Sequence, residues 1–228
     1  MEFAAASALA TSPATTMAPP VPRWRGRLHQ AAFIASIPLG LLLVALAGSG
    51  RATAAAVVYS IGASALYGTS AAYHRGRWSP AARRWMRRLD HSMIFVLIAA
   101  TYTPFALLVL DGAIAVALLT GVWGAAFLGL TLGLAGIAEK RGVGSTLYIT
   151  LGWVAVLAMP ALVRALSPAQ LLLMFVGGVT YTVGAVFLGA RWPNPSPRVF
   201  GYHEVWHVMT LLAGACFAVV IWSEVVVA

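Results

Sequence analysis

The sequence of residues 113–135 is AIAVALLTGVWGAAFLGLTLGLA, and it contains no charged side chain. A helix needs about 20 consecutive apolar residues to cross the roughly 30 Å hydrocarbon core of a bilayer, so this stretch alone predicts a transmembrane helix. The rest of the chain has the same character, because 61% of its 228 residues are hydrophobic and only 9% are charged. Soluble domains carry about 25% charged residues. The composition therefore excludes an ordinary soluble domain and predicts a polytopic membrane protein.

Seven segments are apolar enough to be predicted as membrane-spanning helices: 29–48, 54–73, 92–110, 113–135, 144–163, 169–189 and 204–226. The short break at Asp111–Gly112 predicts a tight hairpin between the third and fourth spans. Prolines inside spans are expected to kink them, and these are Pro38, Pro104 and Pro160. Gly129 and Gly133 permit close contact with another helix, although their spacing is common in membrane helices. The predicted fold is an all-α bundle of seven transmembrane helices over 23–228, after a disordered tail at 1–22.

The basic residues are divided unevenly between the two sides of the predicted bundle. Thirteen of the 15 lie before the first span or in the segments 74–91, 136–143 and 190–202, whereas Arg51 and Arg164 lie on the other side. Because cytoplasmic loops carry an excess of Lys and Arg, the split predicts a cytoplasmic N-terminus and, after seven crossings, a C-terminus outside. The net charge of +9 is then explained by the anionic membrane surface, and no nucleic-acid partner is expected.

A few ionisable side chains stand at the ends of the apolar segments. With the predicted orientation, four of them lie at the cytoplasmic face: His74, Asp90, His203 and His207. An ionisable group at membrane depth costs about 2.5–3.5 kcal/mol on insertion scales and is usually functional. Cys216 is the only cysteine, which excludes a cluster of cysteine ligands. The convergence of the four side chains predicts a site built on histidine.

The histidine spacing is typical of a metal centre. Residues four apart on a helix share one face, so His203 and His207 are expected to bind one ion, with His74 of a neighbouring helix as the third ligand. Three protein ligands leave a fourth position open, as in catalytic zinc sites. Asp90 is expected to orient or deprotonate water in that position, and Ser70, one turn before His74, to hydrogen-bond beside it. The predicted cofactor is Zn²⁺.

Other ionisable residues have simpler interpretations. The alternative for Asp90 is an ion pair with Arg87 or Arg88 at the depth of the lipid headgroups. Glu204 lies about 100° around the helix from the two histidines of the last span, so we expect it to meet a cytoplasmic arginine. His29 is expected to be solvated or hydrogen-bonded and not a ligand. His91 is expected to have a structural role, such as capping the third helix, and lining the site is its alternative.

Four sequence blocks occur in the order of these predicted site residues: Ser70-Ala-Ala-Tyr-His74, Arg88-Leu-Asp90-His91-Ser-Met-Ile94, Ala100-Thr-Tyr-Thr-Pro104 and Gly201-Tyr-His203-Glu-Val-Trp-His207. Together they resemble the signature blocks of the hemolysin III family, the bacterial branch of the progestin and adipoQ receptor superfamily. The similarity covers about residues 25–226. It implies a seven-helix fold with an inward N-terminus, in the inner membrane of a bacterium.

The resemblance also implies a ligand set. Family members bind zinc through one histidine of the second helix and two of the seventh, which correspond to His74, His203 and His207. Their aspartate at the start of the third helix, near the zinc-bound water, corresponds to Asp90. Their serine of the second helix corresponds to Ser70.

Two functions of different classes fit these residues. One is a zinc-dependent hydrolase that cleaves a lipid amide or ester, with Asp90 as general base; the superfamily's similarity to ceramide-cleaving enzymes supports it, and a cavity between helices would suit an acyl chain. The other is a non-catalytic, receptor-like protein of membrane-lipid homeostasis, in which zinc joins helices two, three and seven. Whether the chain is an enzyme stays open at this point. A cytolysin, as the family name suggests, has little support in the sequence. The expected partners are membrane lipids, and no protein partner is predicted.

Overall fold

The computed structural model describes residues 21–139 and 143–228, which form an all-helical bundle. The predicted disordered tail lies, up to residue 20, outside the described residues, as do Lys140 and Arg141. The helices are α1 (Arg27–Leu46), α2 (Gly50–Arg75), α3 (Pro80–Pro104), α4 (Gly112–Leu134), α5 (Val143–Gly152), α6 (Met159–Ala165), α7 (Pro168–Ala190) and α8 (Tyr202–Val227). A π-helical turn at Phe105–Val109 continues α3, and a 3₁₀ stretch at Trp153–Ala158 joins α5 to α6.

Six helical stretches of the described chain are long and apolar enough to cross a membrane: Arg27–Leu46, Pro80–Val109, Gly112–Leu134, Val143–Ala165, Pro168–Ala190 and Tyr202–Val227. They coincide with six of the seven predicted spans, so the chain is a multi-pass integral membrane protein. The seventh predicted span, 54–73, corresponds to α2, which is long enough with its 26 residues but less apolar than the others. The helix predicted at 54–73 is therefore present, and its crossing of the membrane stays a prediction.

The composition of α2 follows from its place in the bundle. More than half of its residues are Ala, Gly, Ser or Thr, and it packs between α1 and α3 with α8 also in contact. A Cβ atom at Gly62 would lie 2.3 Å from the Cβ of Ala100, so α2 and α3 approach each other at backbone distance. A helix that is covered on several sides by protein packs through small side chains and needs fewer large apolar ones.

The arginine-rich segment 74–91, predicted as a loop, is largely helical. α2 continues to Arg75, and α3 begins at Pro80 after Ser79, whose hydroxyl accepts a hydrogen bond from the backbone N–H of Ala82. Ser before Pro is a strong helix start, since the hydroxyl caps a free N–H and proline fits the first turn. This helix-start signal is present in the sequence, but the charged residues of the segment make it polar, and the hydropathy pattern therefore did not indicate a helix there.

The helical hairpin predicted at Asp111–Gly112 is present. The π-helical turn after α3 ends at Val109, and α4 begins at Gly112, which has a φ of +60° that favours glycine.

The three prolines predicted to kink spans have different effects. α1 continues through Pro38, whereas Pro104 precedes the π-helical turn and Pro160 is the second residue of α6, which directly follows the 3₁₀ stretch.

The 3₁₀ stretch is held by a side chain of α3. The Tyr102 hydroxyl donates to the carbonyl of Gly152 at 2.7 Å and accepts from the N–H of Ala155 at 2.7 Å. Backbone groups freed by a break in a membrane helix need such partners because the lipid offers none. Tyr102 therefore allows the fifth span to be irregular where it faces the interior of the bundle.

Gly129 and Gly133 face α3. A Cβ atom at Gly129 would lie 2.5 Å from the ring of Phe95, and one at Gly133 would lie 2.1 Å from the hydroxyl oxygen of Ser92. Real Cβ atoms do not come this close to other atoms, so both positions require glycine for the observed packing. The spacing of Gly129 and Gly133 is common in membrane helices, but in this protein the two glycines form a contact surface with α3.

We expect Gly129→Ala and Gly133→Ala each to lower the midpoint of thermal unfolding of the detergent-purified protein, because overpacking typically costs about 1–3 kcal/mol. Gly121→Ala and Gly124→Ala are matched controls in the same helix, since an added Cβ would meet nothing within 4 Å. They should be neutral or slightly stabilising, because alanine favours the helix. Equal effects at all four positions would contradict the packing described.

Candidate metal centre

Three histidines meet at one end of the bundle, which we call the histidine end. His74 lies in the last turn of α2, and His203 and His207 lie in the first two turns of α8. Each offers a ring nitrogen, and these three atoms lie within 4.8 Å of one another. The Nε2 atoms of His74 and His203 are 3.1 Å apart. The sequence-predicted histidines are therefore brought together.

The start of α8 sets the direction of two of these rings. Its first N–H groups would be unpaired, and the carboxylate of Glu204 accepts the backbone N–H of Gly201 at 2.8 Å. This capping arrangement places the helix start just before His203. His203 and His207 then project from one face, as residues four apart do on a regular helix.

The cluster could hold a metal ion. Two nitrogens bound to one tetrahedral zinc at about 2.0–2.1 Å lie about 3.3 Å from each other, close to the 3.1 Å between His74 and His203. The Nδ1 atom of His207 is buried and has no hydrogen-bond partner among the described residues, so no hydrogen bond at that atom orients the ring. Imidazole donors suit zinc, copper, iron and nickel, so the donor set fits a transition metal without selecting one.

Asp90 and Ser70 lie beside the cluster. The Oδ2 atom of Asp90 is 3.8 Å from the Nε2 atom of His74, and the Ser70 hydroxyl is a hydrogen-bonding neighbour of the same carboxyl group. Both side chains are buried. Asp90 is not part of the group of three whose ligand atoms converge. The position suits a group that acts next to an ion, and the catalytic roles of both residues stay predictions.

His29 is the residue whose place in the site sequence reasoning missed. It is hydrogen-bonded, which was one of its expected states, but it is only 3% exposed and its ring stacks on that of His207 with centroids 3.8 Å apart. Its position at the start of the first span put it at the same end as the other histidines. That signal could have drawn attention to it, but the contact between α1 and α8 is not readable from the sequence.

The segment that precedes α1 covers the cluster. Gly26 has a φ of +74°, and a Cβ atom there would lie 2.6 Å from the Cβ of His74, so glycine allows the backbone to approach this histidine. The Nε atom of Arg25 lies 2.6 Å from the Oε1 atom of Glu204, which is fully buried. Arg25 is thus the arginine partner expected for Glu204. This ion pair ties the covering segment to the first turn of α8.

Comparison with known proteins agrees with the geometry. Residues 19–218 match the family described as haemolysin-III related. The chain belongs to this family. It is 31% identical over 186 residues to Hemolysin-3 of Bacillus cereus, with 80% of this chain and 82% of that protein covered. It is 35% identical over 123 residues to the Hemolysin-3 homolog of Bacillus subtilis (strain 168), covering 54% and 55% of the two chains. The resemblance inferred from the four sequence blocks is therefore confirmed.

This haemolysin-III-related protein also contains an apolar cavity of about 320 Å³. It lies among α2, α3, α5, α7 and α8 and includes the 3₁₀ stretch in its wall. Trp206 and Thr210 of α8 line it, as does Tyr67 of α2. Trp206 directly precedes His207 and Thr210 follows it by three residues, so the cavity wall includes residues of α8 on both sides of His207 in the sequence. None of the three clustered histidines lines the cavity itself.

Proposed function

We propose that this protein is a zinc-dependent membrane hydrolase that cleaves the amide or ester bond of an acylated lipid. The observation that carries the proposal is the convergence of three imidazoles beside the buried carboxyl of Asp90, in a bundle whose apolar cavity is lined by the neighbouring residues Trp206 and Thr210. Ionisable groups inside a membrane protein are costly and mark functional sites. A cluster of four such side chains needs a compensating partner, and a divalent cation supplies one.

A Zn²⁺ ion held by His74, His203 and His207 would act as a Lewis acid toward a carbonyl and would favour water as a nucleophile near neutral pH. The carboxylate of Asp90 takes a proton from the attacking water as its oxygen bonds to the scissile carbonyl carbon. It returns the proton to the leaving nitrogen or oxygen as that bond breaks. Ser70 holds the carboxyl of Asp90 by a hydrogen bond. The buried surroundings strengthen these electrostatic contacts.

The proposed substrate follows from the cavity. Its lining is almost wholly aliphatic and aromatic, and its volume of about 320 Å³ lies at the lower end of the range of small-molecule sites. An acyl chain of a membrane lipid matches that surface. With the chain in the cavity, the carbonyl at its head would lie toward the histidine end, next to Asp90. Membrane lipids are therefore the partners that we propose.

A non-catalytic role is the second candidate. The clustered histidines belong to two helices, α2 and α8, so a bound ion would join these helices as a structural site does. Such a protein would act as a receptor or in membrane-lipid homeostasis. The relatives' names refer to hemolysis, and cytolysis is a third candidate that rests on those names alone.

A lipid hydrolysis assay tests the enzyme proposal. Purified protein is incubated in vesicles with ceramides, phospholipids and acylglycerols, and released fatty acid is measured. We expect release from at least one class, loss after treatment with a chelator, and recovery after addition of Zn²⁺. Protein that carries a full equivalent of zinc and turns over none of these lipids would favour the non-catalytic candidate.

We also propose that the histidine end faces the cytoplasm of a bacterial cell and that the protein lies in the inner membrane. The loops and helix ends at the histidine end carry most of the arginines, and Arg51 and Arg164 lie at the opposite end. A periplasm-dependent reporter enzyme fused after Ala228 should be active. The same reporter fused to a chain truncated after Pro197, in the last loop of the histidine end, should be inactive. Activity in the second fusion and none in the first would reverse the orientation.

A further inference from the structure

His29 makes two contacts with α8 that its position in the sequence does not indicate. The two rings stack with planes inclined by 14°. The Nε2 atom of His29 lies 3.2 Å from the hydroxyl oxygen of Thr210, three residues beyond His207 on the same helix. His29 is therefore held by α8 at one ring atom and lies flat against a clustered histidine of that helix.

The hydrogen bonds define how His29 is held. The Thr210 hydroxyl donates its proton to the backbone carbonyl of His207 at 2.8 Å. A hydroxyl has one proton to donate, so the contact with His29 requires that the Nε2 atom of His29 donates and the hydroxyl accepts. This assigns the hydrogen to Nε2 and ties that ring atom to α8. The ring centroid of His29 also lies 5.3 Å from that of Tyr67.

Metal-binding histidines usually donate their second ring nitrogen to a carboxylate, a carbonyl or water, and this bond orients the ring. The Nδ1 atom of His207 has no such partner among the described residues. The stacking of the His29 ring on the His207 ring takes the place of that missing hydrogen bond. Tyr67 and Thr210, which contact His29, also form part of the cavity wall, so His29 lies between the histidine cluster and residues that line the cavity.

We propose that His29 is a positioning residue of the metal centre: its ring, anchored by Thr210, sets the plane in which His207 presents its ligand nitrogen. The inference rests on the metal centre of the proposed function and not on hydrolysis. Loss of an orienting partner typically costs about 10–100-fold in metal affinity. His29 itself is outside the group of three ligands.

The test compares His29→Ala, which removes the ring, with His29→Phe, which keeps a flat face but loses the hydrogen bond to Thr210. Zinc affinity is measured by competition with a chromogenic chelator, and the ligand geometry by the visible absorption spectrum of the Co²⁺-loaded protein. We expect His29→Ala to weaken zinc binding by about 10-fold or more and to alter the cobalt spectrum. His29→Phe should lie between that variant and the wild type. Thr210→Val should resemble His29→Phe, because it removes the acceptor and retains the shape.

Thermal unfolding of the metal-free variants separates positioning from packing. A purely structural role would lower the stability of the metal-free protein and leave the zinc affinity and cobalt spectrum of the folded variants unchanged, and that outcome would overturn the proposal. His91→Ala, a change at an exposed histidine of α3 outside the three clustered histidines, should leave the zinc affinity and the cobalt spectrum as in the wild type. Wild-type protein that binds no metal would remove both this inference and the proposed function. Normal metal binding by both His29 variants would remove this inference alone.

Discussion

The double substitution His203→Ala and His207→Ala is expected to abolish stoichiometric zinc binding. It removes two of the three converging ligand atoms and leaves His74 as the one imidazole of the cluster. One remaining imidazole cannot build a site of the three- or four-ligand kind that holds zinc in proteins. Elemental analysis of the purified protein, expressed per chain, measures the effect. Wild type should contain one equivalent and the double variant close to none.

The control for this experiment is His91→Ala. His91 lies on α3 at the histidine end, is exposed, and is outside the group of three clustered histidines. Its substitution should keep the full equivalent of zinc, which separates the loss of a ligand from the loss of any histidine. A monodisperse elution profile of the double variant shows that the bundle has folded. A folded double variant that retains a full equivalent would refute the ligand assignment.

Asp90→Asn is expected to keep most of the zinc and to lower lipid hydrolysis by on the order of 10²-fold or more, the usual contribution of a general base. The amide has nearly the shape of the carboxyl but cannot accept a proton from water. Asp90 lies beside His74 without belonging to the converging ligands, so the metal content should change little. The initial rate of fatty-acid release and the zinc content are measured on the same preparation.

Asp111→Asn makes the same chemical change at the opposite end of the bundle. Asp111 is exposed in the hairpin before α4 and makes no side-chain cap contact with that helix. Hydrolysis by this variant should equal that of the wild type. If Asp90→Asn loses its zinc as well as its activity, Asp90 is a ligand and not a base. If it retains both, another group accepts the proton.

Hydropathy was sufficient to predict where the most apolar helices lie along the chain. The uncharged run at 113–135 became α4 with ends displaced by one residue, because a long apolar segment in a bilayer must pair its backbone internally and has no alternative to a helix. The spacing of His203 and His207 was also decisive, since the period of a helix places residues four apart on one face. The antiparallel passage of the chain then brought His74 to the same end.

The sequence contains no comparable signal for which helices are neighbours in the bundle. Most spans are apolar on all sides, so their periodicity does not show which face meets protein and which meets lipid. The stacking of His29 on His207, the pairing of Arg25 with Glu204 and the insertion of Tyr102 into the fifth span each join segments that are far apart in the chain. The order of the helices along the chain decides at which end of the bundle a residue lies, and the sequence by itself determined it. Contact between neighbouring helices depends on the shape of whole surfaces, such as the close approach of Gly133 to Ser92, and the tertiary structure alone decided it.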